Sequence, residues 1–134
     1  MIQLVVSDSS CLIDLRKGGL LSTTLLLPFQ FVVALPLVSA ELHGFTEVDW
    51  EDLKSRGLGI VDLDPKQVER AFQLKSAHGS LSAYDCFSLA LAEANDQAIL
   101  LTGDRQLRLR ATSLNVETHG VLWIAEQIDR LGKM

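Results

Sequence analysis

Four short apolar runs, spaced along the chain with helical patterns between them, constrain the fold more than any other feature of the sequence. They are Leu4–Ser7, Phe31–Leu35, Gly59–Leu63 and Ala98–Thr102, and a weaker, more polar run follows at Asn115–Thr118. The four are continuous rather than alternating, so they suit strands buried on both faces, as in a parallel sheet between two helical layers. Helical patterns fill the gaps. Leu12–Arg16 and Leu20–Leu27 form a first pair, and Leu37–Leu42 follows Pro36, a residue that suits a helix's first turn. Pro65–Ala77 places Val68, Ala71, Phe72 and Lys75 on one stripe, and Ser82–Ala94 is apolar on most sides. The last helical run puts Val121, Ile124, Ala125, Ile128 and Leu131 on one face. These patterns predict a single three-layer α/β/α domain over residues 1–134.

Composition removes several classes of function. The Leu20–Val38 stretch is interrupted by Pro28, Gln30 and Pro36 and makes a poor membrane span. With no basic, apolar leader at the start, the expected location is cytoplasmic. Cys11 and Cys86 lack zinc-ligand spacing and read as reduced core thiols. A net charge of −5 argues against a simple nucleic-acid-binding module. It leaves room for a nuclease, because an acidic site becomes cationic once it holds divalent metal. There is no glycine-rich nucleotide loop and no serine-hydrolase elbow, and His43, His78 and His119 have no partner at ligand spacing. A receiver domain would need paired acids after the first strand and a lysine after the fifth. Asp8-Ser9 supplies one acid, and no lysine lies between Lys75 and Lys133. Glu47–Asp52 reads as a solvated turn with helix-initiating acids near Trp50.

In open α/β sheets, ligands bind beyond the carboxyl ends of the strands. Two strand readings end on an aspartate there, Leu4-Val5-Val6-Ser7-Asp8 and Leu100-Leu101-Thr102-Gly103-Asp104, and each leads into a helix. Taken singly, either acid reads first as a helix N-cap, a position that aspartate favours. Ser82-Ala83-Tyr84-Asp85 fits a capping box, yet it opens a run, Cys86–Ala92, uncharged enough to be buried. Glu41 is a single acid in the apolar segment Leu37–Leu42, and an isolated glutamate ordinarily faces solvent.

Taken in order, these segments resemble the motifs of PIN domains. Asp8-Ser9-Ser10-Cys11-Leu12-Ile13 is similar to the family's opening, Ser39-Ala40-Glu41-Leu42 to its second motif, and Ser82–Ala92 to its third, an aspartate leading an alanine-rich helix. Leu100-Leu101-Thr102-Gly103-Asp104 resembles the fourth, and the likeness extends over residues 2–120. Leu107 departs from it, standing where an aromatic commonly follows. The resemblance implies a mostly parallel sheet of about five strands in the order 3-2-1-4-5. It implies a catalytic metal site of Asp8, Glu41, Asp85 and Asp104 holding Mg²⁺ or Mn²⁺, and an endoribonuclease activity. It further implies the toxin of a VapC-type toxin–antitoxin pair, with RNA as substrate and an antitoxin protein as partner. Hard divalent cations take oxygen ligands, which suits carboxylates.

Beside these acids, Ser10 and Thr102 are candidate hydroxyls for holding carboxylates in place, or plain helix-end and strand-end hydrogen bonders. Arg105 and Arg108 are candidate phosphate ligands, or part of a solvated basic face that includes Arg110. The leucines of Leu20-Leu21 and Leu25-Leu26-Leu27 exceed what one helix face needs. That excess predicts a covered surface, in a homodimer or under an antitoxin segment. Two alternatives remain open: a non-toxin PIN-like nuclease of RNA processing, and an inactive interaction domain whose acids only cap helices.

Overall fold

Two central strands buried on both faces organise the molecule. In a computed structural model describing residues 2–132, Val5 and Val6 of β1 (Gln3–Ser7) are fully buried, as are Leu100 and Leu101 of β4 (Ile99–Leu101). β1 pairs in parallel with β2 (Phe29–Ala34) on one side and β4 on the other. β3 (Gly59–Val61) and β5 (Glu117–His119) complete the sheet in the order β3-β2-β1-β4-β5, parallel throughout. This is the expected α/β/α architecture and strand order. Residues 1, 133 and 134 of the expected domain lie outside the described residues.

Eight helices are found among the described residues. Asp8 caps α1 (Ser9–Lys17), and Gly19, at φ +72°, turns the chain left-handed so that the Leu20 N–H returns to the Leu15 carbonyl. A short α2 (Leu21–Thr24) follows, then β2 and α3 (Leu35–Ala40), with Pro36 in its first turn. That proline moves Leu35 from the expected second strand into the helix. α4 (Glu47–Ser55) is the expected acidic turn grown into a full helix; a Thr46–Asp49 capping box starts it, and Trp50 and Leu53 bury its inner side. α5 (Pro65–Ala77) packs against α6 (Ala83–Glu93), then come α7 (Arg105–Ser113) and α8 (Val121–Arg130). α8 packs with α1 and α2, whereas α3, α5 and α7 meet α6.

Several expected faces are corrected. On α5 the buried residues are Ala71 and Leu74, while Phe72 is 58% exposed and leans edge-on against Phe87. Lys75 folds back to the Gly79 and Leu81 carbonyls. On α8 only Ile124 and Ile128 are fully buried, and Leu131 lies past the helix end, exposed. The fifth strand begins two residues late because Asn115 (φ +61°) closes α7 in a left-handed turn, which asparagine tolerates. The excess leucines are mostly used inside: Leu21 and Leu27 are core residues, and only Leu26 is well exposed, at 64%. Cys11 and Cys86 are buried free thiols whose pKa values burial pushes up. No helix among the described residues is long and apolar enough to cross a membrane.

Candidate functional site

The chain leaves β1 for β2 on one side, while β4 joins β1 on the other, so the strand order reverses between β1 and β4. The carboxyl end of such a switch point is the crevice where open α/β sheets bind ligands. Ser7 is registered with Leu101, which places Asp8 beside Thr102 at that edge. The Asp8 N–H donates to the Leu101 carbonyl (3.0 Å), and the Thr102 N–H donates to the His119 carbonyl (2.9 Å). Those bonds carry the ladder across β1, β4 and β5 up to the site.

Asp8 does two jobs at once. Its Oδ1 accepts the Cys11 N–H at 2.8 Å, an N-cap bond for α1, and its Oδ2 accepts the Thr102 hydroxyl at 2.5 Å. Thr102 Oγ1 in turn accepts the Asp104 N–H at 3.0 Å, and Asp104 Oδ1 caps α7 by accepting the Leu107 N–H at 3.0 Å. One hydroxyl thus ties together the two aspartates that follow neighbouring strands. Glu41, the C-cap residue of α3, is exposed, and its Oε1 accepts the Ser9 hydroxyl at 2.7 Å. Asp85 sits in a capping box with Ser82, giving and receiving one bond each (3.1 and 3.0 Å). It is near enough to Asp8 for its charge to act there.

Electrostatics separates Asp8 from the others. It is 6% exposed, and burial pushes its carboxyl above the ordinary aspartate value. The Thr102 and Cys11 hydrogen bonds oppose that rise, and the Asp85 charge adds to it. None of the four acids forms an ion pair among the described residues. No three His, Cys, Asp or Glu side chains among the described residues converge closely enough to hold a metal ion by themselves. The donors of the four acids are all carboxylate oxygen. Among the described residues hydrogen bonds bring only Asp8 and Asp104 together, through Thr102, while Glu41 is tied to Ser9 and Asp85 to Ser82. That set fits a hard cation of the Mg²⁺ type, which takes one or two carboxylates and fills its remaining positions with water and phosphate oxygen.

The other expected residues divide. Thr102 is fully buried and is the link just described. Ser10 is exposed and lines the open groove beside Asp104, whereas its neighbour Ser9 makes the bond to Glu41. Arg105 and Arg108 are exposed, Arg108 borders the groove, and neither forms an ion pair among the described residues. Leu107, at the position of the missing aromatic, is completely buried. Sequence reasoning missed Ser9, and also His119, which stacks on Trp123 at the groove wall. The rule that found Asp8 and Asp104 would have found His119, since it too ends a strand.

The fold is an α/β domain with Asp8 and Asp104 joined through Thr102 at the carboxyl edge of a parallel sheet. A family model described as a PIN domain matches residues 4–134, nearly the whole chain, and the chain belongs to the PIN-domain family. PIN domains are generally metal-dependent nucleases, so the fold is a nuclease fold. Among solved structures, a PilT N-terminus domain protein from the hyperthermophilic archaeon Sulfolobus solfataricus P2 has the same fold. It is 18% identical, with a TM-score of 0.63, and the match covers 94% of each chain. No curated protein matches the chain.

Proposed function

We propose that the chain is an Mg²⁺- or Mn²⁺-dependent endoribonuclease, hydrolysing phosphodiester bonds at the edge where Asp8 and Asp104 meet. One observation carries the reading: Thr102 joins these two acids across 94 residues of sequence, from Thr102 back to Asp8. A helix cap needs only its own first turn, so capping alone accounts for the Cys11 and Leu107 bonds but not for this link. The alternative, an interaction domain whose acids are only caps, is supported by the caps that Asp8, Asp85 and Asp104 all make. It leaves a buried, unpaired carboxylate at Asp8 without a purpose.

In the proposed site Asp8 and Asp104 are the direct carboxylate ligands, with Glu41 and Asp85 completing the acidic edge. A divalent cation, when bound, supplies positive charge opposite the charge that develops on the phosphate. Thr102 fixes the Asp8 carboxylate, and Ser9 fixes Glu41 Oε1, leaving the other Glu41 oxygen to accept a proton. Ser10 at the groove rim and the guanidinium groups of Arg105 and Arg108 bind and orient the RNA backbone.

For the biological setting we propose the toxin of a type II toxin–antitoxin pair, acting in the cytoplasm as a homodimer until an antitoxin covers it. The order Asp8, Glu41, Asp85, Asp104 supports this through its resemblance to such toxins; a nuclease of RNA processing would use the same residues. The test of activity is Mn²⁺-dependent cleavage of a mixed single-stranded RNA pool by purified protein, which EDTA should abolish. Wild type that leaves the pool intact under every divalent cation tried overturns the nuclease reading. Growth arrest on expression, relieved by a co-encoded protein that binds the chain, separates toxin from processing enzyme.

A further inference from the structure

The groove beside Asp104 has a volume of about 870 Å³, within the range of sites that enclose small organic groups. Its far wall differs in kind from the acidic edge. There the His119 and Trp123 rings lie nearly parallel, 10° apart with centroids at 4.4 Å, and both are half-buried and line the groove. Each ring is held from behind. Glu117 Oε2 lies 2.7 Å from His119 Nε2, and Phe29, which does not line the groove, packs against Trp123 at 5.3 Å. Leu122, 81% exposed, forms an apolar lip to the same groove. Between this wall and Asp104 stands Arg108, whose guanidinium lies over Gly120, where an added Cβ would be 3.8 Å from Nη1.

We propose that this wall is a base-binding subsite, taking one unpaired nucleobase of a single-stranded RNA against the His119–Trp123 stack while Arg108 holds the adjoining phosphate. The proposal rests on the nuclease reading for its substrate and extends it to the substrate's conformation. The two rings cover each other's inner faces, so the base would lie on an outer face of the pair, and aromatic rings take any base this way provided it is unstacked from its neighbours. A duplex keeps its bases stacked and cannot supply one. The sheet sets the neighbourhood of the two sites: Leu101, just before Thr102, is registered with His119, so the backbones that carry the link and the first ring are one strand spacing, ~4.8 Å, apart. A strand whose phosphate lies over Asp8 and Asp104 therefore has a neighbouring base within reach. Asp14 and Glu126 also line the groove and would repel a second phosphate, which restricts the backbone to the Arg108 side. Because both rings are already fixed, little conformational freedom is lost on binding.

The test compares two labelled oligoribonucleotides of one length, oligoadenylate and the same backbone without bases, by fluorescence anisotropy in EDTA at low salt. The wild-type protein should bind the base-bearing strand roughly 5- to 150-fold more tightly, the span expected for one stacked base. Trp123→Ala and His119→Ala should each collapse that ratio towards one, Trp123→Phe should retain part of it, and duplex RNA should bind no better than the abasic strand. The ratio is read within each variant, so a general loss of affinity does not imitate the effect, and melting curves show which variants are folded. Equal binding of both strands by wild type, or a ratio unchanged in a folded His119→Ala variant, overturns the subsite. Mn²⁺-dependent cleavage of the same strands is measured in parallel. Cleavage without base-dependent binding sinks the subsite and leaves the nuclease; base-dependent binding without cleavage does the reverse.

Discussion

Asp8 and Asp85 both accept a backbone N–H in the first turn of a helix or at its cap, yet they are built into the molecule differently. Asp85 exchanges both of its bonds with Ser82, three residues away, and would make them in an isolated helix. Asp8 makes one such local bond and commits its second oxygen to Thr102, on the next strand, in a buried place that disfavours its charge. A cap stabilises a helix by about 1 kcal/mol, which a serine or asparagine would supply without burying a carboxylate. The contrast separates an acid kept for local folding from one whose position works against folding.

That contrast yields predictions that can break it. The largest effect is expected at Asp8→Asn, which retains the cap and shape while removing the charge. Mn²⁺-dependent RNA cleavage should fall more than about 100-fold, since even the partners of metal ligands are worth about 10–100-fold. Activity equal to wild type would make Asp8 the same kind of residue as a cap. Asp85→Asn also retains its box geometry, so any loss of cleavage there reports charge alone. We expect a clear loss, smaller than at Asp8, with an unchanged melting temperature. Should Asp85→Asn prove the more damaging, the ranking of the two acids is reversed.

Thr102→Val tests the link itself. It removes the donor to Asp8 and the acceptor of the Asp104 N–H while preserving volume. We expect about a 10–100-fold loss of cleavage, and destabilisation of about 1–3 kcal/mol in denaturant titrations from the buried groups left unpaired. A stable, fully active variant would show the link to be incidental.

The pH dependence sharpens the same point. The folded Asp8 carboxyl has a raised pKa, so its proton is held more tightly in the native than in the unfolded chain. Its contribution to stability is therefore full below the unfolded value near 3.8 and is lost as pH rises through the folded value. Without metal, Asp8→Asn should gain on wild type in melting temperature from pH 3 to neutrality, and saturating Mn²⁺ should return the advantage to wild type. A constant difference across that range would contradict the burial argument. The smallest effect is expected at Ser88→Ala in α6, where the serine hydroxyl is buried without a hydrogen-bond partner. Removing it should stabilise by about 1 kcal/mol and leave cleavage unchanged.

What could be read from the sequence follows the range of the forces involved. Buried strands leading to Asp8 and Asp104 were legible because continuous apolar runs and strand-end acids are local signals. The helix over Pro65–Ala77 was legible to the residue from its helical spacing, and in the structure an Asp64 capping box and Pro65 start it. Its buried face was not, because packing against α6 selects Ala71 and Leu74 and turns Phe72 outward. The α4 segment reads as a turn in the sequence because a single buried apolar pair, Trp50 and Leu53, makes a faint period in a polar segment. In the site, Ser9 rather than Ser10 reaches Glu41, a choice set by the rotation of α1 about its axis. The Thr102 bond joins two segments too distant in sequence for any local pattern to reveal.

The middle position of β1 has a consequence for the order in which the molecule is made. The strand synthesised first receives β4, one of its two neighbours, only after about three quarters of the chain exists. Until Ile99–Asp104 has emerged, Asp8 has neither the Leu101 carbonyl for its amide nor the Thr102 hydroxyl for its carboxylate. A growing chain on the ribosome thus carries the acids of the opening motif long before it carries an assembled centre. Late closure of this kind slows folding, because the ends of a long loop must meet before they gain any contact. The Asp8–Thr102–Asp104 link is thus among the last contacts of the sheet edge to form, whatever the earlier segments have already built.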